Sequence, residues 1–334
     1  MIFLRPLSWI FLLVVTLRNR FYDWGILKSI ELPGVVISVG NIAVGGTGKS
    51  PVVIDIARRV IAAGGRPVIV TRGYRSGLSA SDWQVLQDGR IVFGFGQGQV
   101  GADEARMQSL ALPGVPVVIG ARRVKAVRNF LALAPKSAFT HFILDDGFQH
   151  RKIKRDQDIV VVDVRDPVGA LLPSGRFREP MKALRRAHDV VLTKAKDDIQ
   201  LQRCRLMIQA AAPQIRQFDL RLVAQPVRMV CGVEGQKPKR WAAVAGIAKP
   251  EDFIASLATL GINPVVRFFS GDHQSFNPYL LQSARANFDG IVTTEKDWAR
   301  DEVRFIALAV PVYILPLKPV WGAHEPRIYE MRAM

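Results

Sequence analysis

Cysteine is scarce in this chain: Cys204 and Cys231 are the only two in 334 residues. Two thiols without metal-ligand spacing exclude a disulfide framework and a cysteine-bound metal centre, and they suit a reducing cytoplasm. Repeats and low-complexity tracts are also missing, and the 20 prolines are spread rather than clustered, so a disordered chain does not fit. Acids are in deficit, 29 against 46 lysines and arginines, which leaves a formal net charge of +17. Such an excess suits a nucleic acid, an anionic membrane surface or a polyanionic substrate. With 49% hydrophobic residues the chain can bury a large core, and two compact domains are expected.

A membrane-spanning run is absent too. The apolar stretch from Leu7 to Leu17 is too short to cross a bilayer, and no small-residue cleavage site follows it as a signal peptide requires. Its flanks are basic, with Arg5 before it and Arg18 and Arg20 after it. The expected element is an interfacial helix, with Trp9, Phe11, Phe21 and Trp24 at headgroup depth and the arginines drawn to anionic lipid. The alternative is an N-terminal helix docked on the domain.

What is present starts with Gly40-Asn41-Ile42-Ala43-Val44-Gly45-Gly46-Thr47-Gly48-Lys49-Ser50. It follows the β-branched run Val35 to Val39 and precedes Val53, Ile56, Ala57 and Val60 at helical spacing, so it reads as strand, loop and helix. Glycines let backbone N–H groups turn inward around a polyphosphate, Lys49 reaches the terminal phosphates, and the Ser50 hydroxyl suits Mg²⁺. Gly45, Gly46, Thr47, Gly48, Lys49 and Ser50 are the predicted phosphate-binding residues. The usual pattern places a glycine five residues before Gly48, where this chain has Ala43.

Further apolar runs at Val68–Thr71, Val115–Ile119, Phe142–Leu144, Ile159–Val162 and Val190–Thr193 alternate with helical patterns. Continuous rather than alternating apolarity predicts a parallel α/β sheet covered on both faces, with ligands collecting at the carboxyl ends of its strands. The expected organisation is an N-terminal helix in 1–30, a phosphate-loop α/β domain in 31–220, a β linker in 221–240 and a smaller α/β domain in 241–334. Asp145 and Asp146 close a hydrophobic strand, where a magnesium-binding acid belongs. Neighbouring acids on a strand point to opposite faces, so the two should differ in role unless the chain turns between them, as Gly147 suggests.

Together these segments, with Arg72-Gly73-Tyr74, Asp103-Glu104, Asp145-Asp146-Gly147-Phe148-Gln149-His150, Leu172 to Gly175, Arg178-Glu179, Ala245-Gly246-Ile247, Asp272-His273-Gln274 and Thr294-Glu295-Lys296-Asp297, resemble the tetraacyldisaccharide 4′-kinases of lipid A synthesis. The resemblance covers nearly the whole chain. It implies transfer of the ATP γ-phosphoryl group to the 4′-hydroxyl of a tetraacylated disaccharide 1-phosphate, at the cytoplasmic face of the bacterial inner membrane. It implies ATP and Mg²⁺ as cofactors, Asp103 with His273 as a proton-abstracting pair beside Lys49, and Gln149 and Glu179 as helpers of Ser50, Asp145 and Asp146 at the metal. Tyr74 and Arg123 would contact substrate or phosphate. It implies a lipid acceptor and an anionic membrane as partners, with no nucleic acid and no obligate protein partner. Asp103 and His273 are far apart in sequence and would meet across a cleft between domains, coupling closure to chemistry. Where the family reads Gly-Asp-Glu-Pro, this chain has Ala102-Asp103-Glu104-Ala105.

Two other classes use parts of this pattern. A GTPase or loading factor would need Asp where Thr193-Lys194-Ala195-Lys196-Asp197 has Lys196. A basic membrane- or nucleic-acid-binding adaptor would account for the charge but leave the acid and histidine motifs without a role.

Overall fold

The computed structural model describes residues 4–73, 76–95, 103–134, 138–233, 238–271 and 274–329. Helix α1 (Arg5–Asp23) opens the chain, with Pro6 in its first turn, and leads to β1 (Val35–Gly40). After the glycine loop come α2 (Lys49–Ala62), β2 (Pro67–Thr71), β3 (Trp83–Gln87), β4 (Arg90–Phe95) and α3 (Asp103–Ala111). Next are β5 (Val117–Ile119), α4 (Arg123–Leu133), β6 (His141–Asp145), β7 (Gln157–Asp163), β8 (Asp189–Thr193), α5 (Asp198–Ala211) and β9 (Arg216–Ala224). The remaining elements are β10 (Arg228–Cys231), β11 (Trp241–Ala245), α6 (Pro250–Ala258), β12 (Val266–Phe269), α7 (Pro278–Ser283), β13 (Gly290–Thr294), α8 (Glu295–Ile306), β14 (Val312–Leu315) and β15 (Leu317–Trp321).

Ten strands form one sheet in the order β15-β9-β8-β7-β1-β6-β2-β5-β3-β4. From β9 to β5 the pairings are parallel, and antiparallel strands close both edges. Every residue of β1, β2, β6, β7 and β8 is buried, as continuous apolar runs require. Ile37 and Val39 face the cluster holding Val53, Ile56 and Val60 of α2, while Val36 faces the opposite cluster with Phe130 and Phe142.

A second sheet runs β10-β14-β13-β11-β12, parallel except where β10 pairs with β14. Three features differ from the sequence expectation. The β3–β4 hairpin adds an unforeseen antiparallel edge. The expected 221–240 linker is divided, since β9 lies in the large sheet and β10 in the small one. The 241–334 segment does not stay in the second domain, because β15 returns to pair with β9, and Trp321 donates its indole N–H to Asp55 of α2 at 2.9 Å. An unpaired β9 edge explains the return: covering it satisfies a row of backbone groups.

Candidate active site

The glycine loop joins the carboxyl end of β1 to α2, as in a phosphate loop. Gly48 caps α2 with φ of 90°, a left-handed conformation that glycine adopts without strain. Behind the loop, the Asn41 side-chain amide donates to the Thr47 hydroxyl at 3.1 Å, and the Thr193 hydroxyl donates to the Thr47 carbonyl at 2.8 Å. Lys194 Nζ donates to the Gly46 carbonyl. Ala43 has a physical reason to stand where the usual pattern has glycine: it is 6% exposed and packs with Ile42, Phe148 and Phe177 in an apolar cluster.

The chain turns between the two acids, as Gly147 suggests, and their different surroundings still set them apart. Asp145 ends β6, and Asp146 takes φ of 52°. Asp145 is buried; one carboxylate oxygen accepts from Gln108 at 3.0 Å, while Oδ1 has no protein partner. Burial, reinforced by the Glu104 charge, pushes its carboxyl up to about 6. Asp146 lies 3.6 Å from Lys49 Nζ and accepts from Arg178 at 2.8 Å. Burial would raise its pKa, but the Lys49 and Arg178 cations overcome this and hold it below the ordinary value. Two carboxylates whose environments push them apart are suited to different jobs.

Arg123 lies beneath this turn, 4% exposed, and one guanidinium nitrogen donates to the Asp145 and Asp146 carbonyls at 2.9 and 3.2 Å. Burial draws its pKa down against the opposing pull of Asp146 and Asp145. Behind the acids, Gln149 donates to Asn41 O at 2.9 Å and to Glu179 at 3.0 Å. Glu179 is 1% exposed and takes two further kinds of donor: Arg186 in a fork at 2.7 and 2.8 Å, and the Asn19 amide of α1 at 3.0 Å. Arg186 also stacks over Phe148, 4.0 Å from the ring centre.

Of the residues predicted from sequence, the structure thus gathers Lys49, Asp145 and Asp146 beside the loop residues, with Ser50 next to Lys49 at the start of α2. Gln149 and Glu179 form a layer behind, their polar groups engaged with protein partners, and Arg123 supports the acid turn through backbone carbonyls. Asp103 begins α3 and is 8% exposed, and Gln108 of the same helix reaches Asp145 at 3.0 Å. Tyr74, Asp272 and His273 lie outside the described residues. Arg178 and Gln108 were missed: Arg178 adjoins Glu179 in a motif already noted, whereas Gln108 carries no sequence signal of its own. Among the described residues no group of three or more His, Cys, Asp or Glu forms a metal cage.

A parallel sheet, a phosphate loop at its central strand and an acid pair facing the loop lysine define a phosphate-loop phosphotransferase. The chain also matches the family model described as LpxK, tetraacyldisaccharide-1-P 4′-kinase, over residues 1–330. It belongs to that family, the tetraacyldisaccharide 4′-kinases of lipid A biosynthesis. The tetraacyldisaccharide 4′-kinase of Chlorobaculum tepidum is 38% identical over 312 residues, covering 90% of this chain and 86% of the relative. That of Anaeromyxobacter sp. strain Fw109-5 is 37% identical over 295 residues, covering 85% and 78%. A solved structure of LpxK from Aquifex aeolicus in complex with ATP aligns with a TM-score of 0.73 at 29% identity, covering 96% of this chain and 94% of that one.

Proposed function

We propose that this kinase takes ATP as donor in the loop from Gly45 to Ser50 and phosphorylates the 4′-hydroxyl of a tetraacyldisaccharide 1-phosphate. The observation carrying the site assignment is Lys49 facing Asp146 at 3.6 Å, with Asp145 buried behind. In the reaction the sugar oxygen bonds to the γ-phosphorus, the bond to the β–γ bridging oxygen breaks, ADP leaves, and the hydroxyl proton passes to the enzyme. Lys49 neutralises charge spreading over the transferred phosphoryl oxygens, and Arg178 is held by Asp146 close enough to share that task.

The donor set fits Mg²⁺. Asp145 Oδ1 and Asp146 Oδ1 are buried carboxylate oxygens without hydrogen-bond partners, and magnesium prefers one or two carboxylates plus water to a protein cage. Asp145, Asp146 and Ser50 would hold the ion, whose charge offsets that of the polyphosphate. Gln149 and Glu179 support this shell from behind by fixing Asn41 O, Arg186 and Asn19. Asp103 orients His273 and raises its basicity, so that the imidazole draws the proton from the sugar hydroxyl.

The protein would work as a peripheral enzyme on the cytoplasmic face of the inner membrane. No helix among the described residues is long and apolar enough to cross a membrane. Helix α1 instead exposes Trp9, Ile10, Leu13 and Val14 on one side, while Ser8 hydrogen-bonds to Leu171 O and Ser174 on the other. Transfer from γ-labelled ATP to the disaccharide lipid, compared among wild type, Lys49→Ala, Asp103→Ala and His273→Ala, tests the assignment. Each folded variant is expected to lose turnover; normal turnover by all three overturns the mechanism.

A further inference from the structure

Gln108 lies within α3, fully buried, and meets the site at one atom of Asp145. Its amide N–H donates to Asp145 Oδ2 at 3.0 Å, and the Thr71 hydroxyl approaches the same oxygen at 3.5 Å. Asp145 Oδ1 and Gln108 Oε1 are both buried, and neither has a hydrogen-bond partner among the described residues. The two oxygens of one carboxylate are therefore treated differently: Oδ2 is tied from the α3 side and Oδ1 is left open.

Stability is a poor reason for this arrangement. A buried amide with one of its two polar atoms unsatisfied costs free energy, and an apolar side chain of the same volume would fill the space at less cost. Among the described residues the bond to Asp145 is the only one that the Gln108 side chain makes. What that bond does is set direction. A carboxylate torsion is broad and roughly two-fold, so Asp145 without a donor on Oδ2 could turn either oxygen towards the Lys49 cation that acts on it.

The donor is held in place by the rest of its helix. The Ser109 hydroxyl accepts from Gly89 N at 2.9 Å and Arg106 Nε donates to Gly89 O at 3.2 Å, so the β3–β4 turn is bonded to α3 twice. Arg106 also grips α8, donating to the Ala299 carbonyl and pairing with the Glu302 carboxylate. Ala105 of α3, and Leu112 just after it, lie in the core cluster with Val53 and Ile56 of α2. An amide on a helix fixed in this way has little freedom to follow Asp145, so the carboxylate conforms to the amide.

We infer that Gln108 is a positioning residue for the metal-binding acid: its amide ties Asp145 Oδ2 and so presents Oδ1 to the magnesium ion, with Thr71 supporting the same oxygen. Partners that hold a ligating carboxylate in one orientation govern how tightly the ion is bound. This rests on the reading above that Asp145 takes Mg²⁺.

The test follows binding of Mn²⁺, as a probe for Mg²⁺, to the full chain saturated with ADP, using the paramagnetic resonance signal of the free ion, and measures kcat against Mg²⁺ concentration. Gln108→Leu should weaken Mn²⁺ binding by roughly ten- to a hundredfold. Binding of ADP without metal should stay at the wild-type level, and excess Mg²⁺ should restore turnover, because the loss falls on occupancy of the ion. Thr71→Val should show a smaller loss of the same kind, and Thr71→Ser, which keeps the hydroxyl, should recover it. Should Gln108→Leu fail to fold, Gln108→Asn, whose amide falls a methylene short of Asp145, takes its place with the same expectation. Wild-type Mn²⁺ affinity in the folded variant, or a loss of turnover that no excess of Mg²⁺ restores, overturns the inference. If Asp145→Asn also binds Mn²⁺ as the wild type does, the magnesium reading fails; if Asp145→Asn loses the ion while Gln108→Leu keeps it, the tether alone fails.

Discussion

Lys49 of the phosphate loop and Asp146 of the acid turn stand 3.6 Å apart, with their side chains 13% and 31% exposed. The contact joins the first residue of α2, beyond the loop after β1, to the turn after β6, the strand beside β1 in the sheet. Replacing Lys49 by Met removes the cation that lowers both Asp145 and Asp146. The expected result is a fall in kcat of about a hundred- to a thousandfold, the usual cost of losing one transition-state charge partner. Label transfer from γ-labelled ATP at saturating acceptor measures it, and circular dichroism checks the fold.

His150 predicts a pH dependence of stability. Burial is the main cause, and Arg123, Arg155, Lys152 and Arg18 add like charge, so its imidazole is driven down to about 3. The unfolded chain protonates this histidine near the ordinary 6.5 while the native one does not, so its share of stability is complete above that pH and drains away as pH falls towards 3. The slope is up to about 1.4 kcal/mol per pH unit in that window. Urea unfolding of wild type and His150→Gln at pH 7, 6 and 5, without added metal, should show the variant gaining on the wild type as pH drops. A constant difference contradicts the prediction.

Cys204 should be inert. It is 1% exposed beneath the sheet with Ile208 and Leu201, and burial, with the Asp163 charge, raises its thiol to about 11. A buried, protonated thiol neither reaches nor attacks an alkylating reagent. Mass spectrometry after maleimide treatment of the native protein should find label on Cys231, which is partly exposed, well before Cys204.

Helix α1 should carry the membrane contact. Trp9 is 76% exposed, and Leu13 and Val14 are each 58% exposed along the same helix. Changing Trp9 and Leu13 to Ser removes roughly 2 to 5 kcal/mol of apolar transfer. Co-sedimentation with vesicles containing anionic lipid should fall at least tenfold, with nucleotide affinity unchanged. Equal sedimentation by the variant would return α1 to a purely structural role.

Residue order alone determined the phosphate loop and the central parallel strands. Glycine spacing beside a β-branched run, and unbroken apolarity in β1, β2, β6, β7 and β8, are local consequences of backbone freedom and two-sided burial. The turn at Asp145-Asp146 was also legible, since Gly147 marked it and Asp146 stands at positive φ, but the different surroundings of the two acids were not readable from it. Tertiary structure decided the rest, because pairing between distant segments leaves little local trace. Gln108 reaches Asp145 only because α3 packs beside β6, Asn19 reaches Glu179 only because α1 folds back across 160 residues, and β15 rejoins the first sheet only because β9 offers an open edge. The grip of Arg106 on α8, between residues nearly two hundred positions apart, is of the same kind. Long-range contacts depend on which surfaces remain to be covered once the local elements have formed, and the folded chain alone specifies those surfaces.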